Sequence, residues 1–166
     1  MTISMTRLVS AICVAALLEL GAVQPTIAET LSPALQADGV IKVKSAYPLD
    51  ETIARIKQDI AAKGIKFFDE IDQAKLGGDA GIKMRPSTLL IFGNPPLGIQ
   101  FLTSNPNAGL DWPVRLLVMQ DENGDVYAAY TDFAWMARRH GITDRDAQFK
   151  MASSVVSSIL STVSAK

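Results

Sequence analysis

His140 is the single histidine of this chain and Cys13 the single cysteine, so the side chains that most often serve as bases, nucleophiles and metal ligands are almost missing. Tight transition-metal sites use several His and Cys ligands, and His140 alone cannot assemble one. The serines stand in no G-x-S-x-G setting, which leaves covalent catalysis without a recognisable nucleophile. Spacing specifies no acid–base pair, and this argues against an enzyme. The stretch "DENGD" offers Asp121, Asn123 and Asp125 to calcium, with Asp132 at the twelfth place of an EF-hand count, but Val126 stands where that loop needs glycine. A two-residue hairpin turn at Asn123-Gly124 explains the same residues. No metal and no cofactor are expected.

The glycines and prolines of "RPSTLLIFGNPPLG", Arg85 to Gly98, raise the question of a phosphate-binding loop. Such a loop needs successive backbone N–H groups aimed at the anion, and Pro95 and Pro96 remove two of them. Neither G-x-x-x-x-G-K-[ST] nor G-x-G-x-x-G is present. A helix start fits better: Asn94 caps, its side-chain oxygen reaching the Leu97 amide, and Pro95 takes the first helical position. Pro96 biases Pro95 away from helical angles, which argues for a start one residue later. His140 ends "WMARRHG" beside Arg138 and Arg139, where a cationic side chain favours the negative end of a helix dipole.

The elements that must position these residues follow from periodicity. "VIKVKSAY" alternates as a first strand with one wet face. "PLDETIARIKQDIAAKG" puts Ile53, Ile56 and Ile60 on one helical face, with Asp50 as N-cap and Gly64 as stop. "IKFFDEI" resumes strand character, and the glycines of "DQAKLGGDAGIK" break it. "STLLIF" lacks polar alternation, which implies a strand covered on both faces or lying centrally in the sheet. "LGIQFL" makes a short helix, "TSNPNAGLDWP" a loop, and "VRLLVMQ" and "VYAAYT" an antiparallel pair. Asp132 caps "FAWMARRH", with Gly141 stopping it, and Thr143 with Asp146 opens a last helix at capping-box spacing. That helix buries Ala152, Val155, Val156, Ile159, Leu160 and Val163, leaving a serine face that is either solvated or packed against a second protomer. The fold class expected is α+β: a single domain with a mixed or mainly antiparallel sheet of about five strands, helices packed on it, and a long C-terminal helix.

The N-terminus carries an address. Arg7 precedes the apolar run "LVSAICVAALL", Glu19 closes it, and "QPTIAET" supplies small residues before a cut after Ala28. The run is too short to span about 30 Å of hydrocarbon. Residues 1–28 are therefore expected to be a signal peptide, 29–38 a leader and 39–166 one domain, exported to a periplasm or secreted, with no membrane attachment after cleavage. Cys13 would be lost with the signal, so packing rather than disulfides must stabilise the rest. With 16 Lys+Arg against 17 Asp+Glu the net charge is −1, and no basic block offers a nucleic-acid footprint.

Three motifs, "MRPSTLLIFGNPPLG", "GLDWPVRLLVMQDENGDVYAAYTD" and "ARRHG", together resemble the family called domain of unknown function 302, from about Ile53 to Ile142. The family's R-P-x-x-L-L-x-F-G-N-P is similar to Arg85–Pro95, its L-D-L-P to Leu110–Pro113 with Trp112 substituted, and its R-H-G to Arg139–Gly141. Gln73 stands where many members have the histidine of I-D-H, and Pro96 where members usually have a longer residue. The resemblance implies a compact α+β domain, often a homodimer, with no established activity.

Motif positions in loops and at strand ends are the better site candidates: Arg85, Asn94, Asp111 and His140, with Trp112 and Tyr130 as walls. Arg85 enters a buried strand and needs a partner, for which Asp111 is the expected carboxylate. Two roles stay open. An Arg85–Asp111 pair fixes the loop, or Arg85 or His140 faces a small polar or anionic ligand in a pocket walled by Phe92, Trp112, Tyr130 and Trp135. The expected function is non-catalytic binding of such a ligand; the alternative is a dimeric interaction module without a small-molecule site.

Overall fold

A computed structural model describes residues 38–165. The expected signal peptide and nearly all of the leader lie outside the described residues. Five strands form one sheet: β1 (Val40–Lys44), β2 (Lys66–Asp72), β3 (Ser87–Gly93), β4 (Val114–Gln120) and β5 (Val126–Thr131). Their order is β1-β5-β4-β3-β2 and every pairing is antiparallel. Five helices join them: α1 (Leu49–Ala62), α2 (Gln73–Asp79), α3 (Pro95–Ser104), α4 (Phe133–Arg139) and the C-terminal α5 (Asp146–Ser161). The expected α+β class holds, with the sheet antiparallel throughout.

Periodicity explains the two long helices. α1 buries Thr52, Ile53, Ile56 and Ile60, and α5 buries Phe149, Ala152, Val156, Ile159 and Leu160. These meet Leu90, Phe92, Leu116, Val118, Ala128 and Tyr130 of the sheet in one core. Gly64, at φ 64°, ends α1 as expected.

Helix starts differ in detail. Pro48, not Asp50, is the N-cap of α1, and Asp50 lies inside the first turn with Glu51, where carboxylates favour the positive dipole end. α5 begins at Asp146 behind Arg145 with no side-chain cap, so Thr143 does not open it. Asp132 does cap α4, accepting from the amides of Ala134 and Trp135. The segment "TSNPNAGLDWP", expected to be loop, completes α3 and then makes a 3-10 turn over Pro106–Leu110. The hairpin after β4 uses a longer loop than the two-residue turn expected. Asp121 bends its carboxylate onto the amides of Asn123 and Asp125, each at 2.9 Å, and Gly124 sits at φ 86°.

Candidate functional site

A cleft of about 270 Å³ lies between the end of β3, α3 and α5. Its floor is Phe92, Phe101 and Phe133, its flank Leu97, Met151 and Val155, and its polar lining Lys63 and Asn94. Phe101 is fixed from behind by Phe149, ring centroids 4.2 Å apart and nearly parallel. Trp112 forms one wall. Its indole lies directly on two backbone segments: a Cβ at Gly98 would fall 1.9 Å from Nε1, and one at Gly93 3.1 Å from it. The glycines of "FGNPPLG" therefore serve close approach of an aromatic ring to the backbone, and Phe68 meets that ring edge-on at 6.2 Å.

α3 does begin at Pro95 behind Asn94, but Asn94 makes no side-chain cap. Its backbone carbonyl accepts from Leu97 and Gly98 instead, and its side chain stays exposed at the cleft. Pro96 does not delay the helix.

Behind Trp112, Asp111 is buried, its side chain 4% exposed. Its partner is not Arg85. His140 Nε2 lies 2.6 Å from Oδ2, Arg139 Nη1 donates to both oxygens at 3.1 Å, and Arg115 donates to Oδ1 at 3.1 Å and to the Leu110 carbonyl. His140 holds the C-cap position of α4, as its place in the sequence suggested. Its ring is committed to Asp111, and its carbonyl accepts from Asn105 Nδ2 at 2.8 Å. This cluster ties the end of α4 to the loop before β4, so it fixes where Trp112 starts.

The expected site residues thus divide. Asn94 and Trp112 meet at the cleft, and Asp111 and His140 form the clamp behind it. Arg85 is exposed and lines a separate shallow groove with Lys83, Met84 and Met119. β3 begins only at Ser87, so the charge never enters the buried strand. Of the expected aromatic walls, Phe92 and Trp112 serve and the other two do not. Trp135 packs on Gly39 and under the Arg139 guanidinium, and Tyr130, 7% exposed, belongs to the core. Phe101 and Phe133 take their places. Their only sequence signal is position: about two helical turns past Asn94, and directly after the Asp132 cap.

Burial pushes the Tyr130 phenol above its ordinary value, and the charge of Asp132 adds to the rise. The unfolded chain therefore ionises first, so stability is whole below about pH 10 and falls as pH rises through the folded-state value. Tyr130→Phe is expected to lose less stability than the parent across that alkaline range, measured by urea denaturation at stepped pH.

A family model described as "Domain of unknown function DUF302" matches residues 41–159. The chain is 34% identical over 104 residues to "Fluoride-specific ion channel FluC 1" of Brucella suis biovar 1 (strain 1330), covering 63% of this chain and 41% of that protein. It is likewise 34% identical to "Fluoride-specific ion channel FluC 1" of Brucella abortus biovar 1 (strain 9-941), covering 63% of this chain and 38% of that protein. The chain thus spans about two fifths of these curated relatives. No described helix is long and apolar enough to cross a membrane. A solved structure, the uncharacterized conserved protein DUF302 from Bacillus stearothermophilus, shares the fold with a TM-score of 0.62 at 19% identity, covering 76% of this chain and 97% of that one.

Proposed function

This chain belongs to the family described as domain of unknown function DUF302, and we propose that it is an exported, non-catalytic binding domain for a small molecule with an apolar body and a polar or anionic end. The observation that carries this is the enclosed cleft, walled by aromatic and aliphatic side chains with Lys63 and Asn94 as its polar groups. Ligand clefts typically combine such walls with a few placed polar groups. The volume of about 270 Å³ lies just under the roughly 300–1,000 Å³ usual for drug-sized ligands, so the occupant is small. Lys63 donates to Asp59 at 2.6 Å, and an ammonium has three donors, so two remain for an anionic group.

The export part of the reading rests on the charge, apolar run and small residues of 1–28. Partial coverage of chains named as fluoride-specific ion channels fits a module that works beside other parts. Fluoride is not the occupant proposed: a small, strongly hydrated ion would lose its water to apolar walls without compensation.

Anilinonaphthalene sulfonate, which joins an apolar body to one anionic group, serves as the probe. It is expected to bind the folded protein with one-to-one stoichiometry and to change the emission of Trp112. Val155→Trp, which fills the cleft from its half-buried flank, should weaken binding at least about tenfold while leaving thermal stability near that of the parent. Equal affinity in the two proteins would remove the cleft as the site. Native mass spectrometry of protein purified after export should then show a stoichiometric small-molecule adduct.

A further inference from the structure

α5 separates two depressions. Met151, Ala152, Val155 and Val156 line the cleft on one side of it, and Ser153, Ser154, Ser157, Ser158 and Ser161 line an open groove of about 680 Å³ on the other. Across the groove from these serines stand Ile41 of β1, Tyr130 of β5 and Asp132. From Ser153 to Ser161 the groove follows α5 for about 12 Å.

A row of serines on a helix is ordinarily a solvated surface, and Tyr130 sets this one apart. Tyr130 is 7% exposed, and no hydrogen bond among the described residues engages its hydroxyl. None of their buried side-chain polar atoms lacks a partner. The phenol oxygen therefore belongs to the small part of Tyr130 that is exposed, and it opens onto the groove that the residue lines. A tyrosine buried to this degree normally satisfies its hydroxyl within the protein; here the group is turned toward an outside partner. The serines repeat that chemistry. Ser161 donates to the Ser158 carbonyl at 2.7 Å, whereas Ser153, Ser154, Ser157 and Ser158 make no such bond back to the helix among the described residues. Each free hydroxyl can both donate and accept. The Asp132 oxygens accept from the amides of Ala134 and Trp135, and each keeps a lone pair for another donor. No lysine or arginine lines the groove, so an anion would meet only the charge of Asp132 and be repelled.

We propose that this groove is a second binding site, for a neutral oligosaccharide. Sugar hydroxyls donate and accept as the Tyr130 and serine hydroxyls do, Asp132 accepts from one of them, and Ile41 offers its apolar side chain to the C–H face of a ring. A run of about 12 Å is longer than one sugar ring, and the volume lies within the roughly 300–1,000 Å³ of ligand sites. The chemistry is the converse of the cleft, where Lys63 favours an anionic group, so this site stands whether or not the cleft is occupied.

Amide chemical shifts of the intact protein, titrated with maltotriose, cellotriose and triacetylchitotriose to about 10 mM each, test this. At least one is expected to bind, moving the amides of Tyr130, Asp132 and Ser153 to Ser161 without displacing anilinonaphthalene sulfonate from the cleft. Tyr130→Phe removes a hydroxyl that holds nothing in the protein, so it should weaken binding at least about threefold with thermal stability unchanged at neutral pH. Ser157→Leu, at an exposed position, should fill the groove and weaken binding at least about tenfold. No response to any of the three sugars, undiminished affinity in either variant, or competition with the anilinonaphthalene probe overturns the proposal. So does a concentration-dependent shift of the same amides without sugar, the sign that a protein surface covers the groove instead.

Discussion

Asp111→Ala is expected to lower stability by roughly 2–4 kcal/mol, the largest loss from any single polar side chain in the domain. The carboxylate is 4% exposed and holds three side chains that come from two directions, Arg115 on β4 and the Arg139–His140 pair at the end of α4. The three bonds do not count equally. The arginine side chains are 49% and 43% exposed, so water replaces most of what they lose, and each is worth at most about 1 kcal/mol. The His140 side chain is 6% exposed and would be left without its partner in a site water hardly reaches, which costs about 1–3 kcal/mol. Thermal denaturation should fall by about 10 °C, whereas Arg115→Gln should move it little. Because Asp111 directly precedes Trp112, the variant should also weaken probe binding in the cleft. A stability equal to the parent's would mean that the cluster does not hold the loop.

What the sequence made legible was local. The Asp132 cap, the stop at Gly64 and the apolar faces of α1 and α5 all depend on residues within a turn or two of one another, and each is found where expected except that Val155 of α5 is only half-buried. The partner of Asp111 was not legible, because Arg139 and His140 stand 28 and 29 positions away and nothing in spacing prefers them to Arg85. α2 was missed for a related reason. Gly77 and Gly78 oppose a helix on propensity, yet a Cβ at Gly77 would fall 2.9 Å from the Ile82 carbonyl oxygen and from the Met84 sulfur. That glycine is required by packing against the following segment, and Asp72 holds the helix start by accepting from the Lys75 amide at 2.8 Å. The unbroken apolar run of β3 implies a strand covered on both faces or lying centrally in the sheet, and β3 is an interior strand, paired with β4 on one side and β2 on the other. Its inward residues Leu90 and Phe92 lie in the core, while Leu89 and Ile91 on the other face are only half-buried.

The glycines of "FGNPPLG" provide the second large effect. Gly98→Ala is expected to destabilise by roughly 1–3 kcal/mol, although alanine is the better helix former by about 1 kcal/mol. The new methyl would lie 1.9 Å from Nε1 and 2.0 Å from Cε2 of Trp112, far inside van der Waals contact. The ring has little room to give, since Gly93 lies under it and Phe68 stands at its edge. Overpacking therefore outweighs propensity, the indole is displaced, and the cleft loses its wall. Gly78→Ala supplies the opposite sign: the site is helical, nothing lies within 4 Å of its added Cβ, and stability should hold or rise by up to about 1 kcal/mol. Urea denaturation of both variants, read alongside tryptophan emission and probe affinity, separates the two terms. If Gly98→Ala matched the parent in stability and in emission, Trp112 would not be seated on that helix, and the cleft would need a different wall.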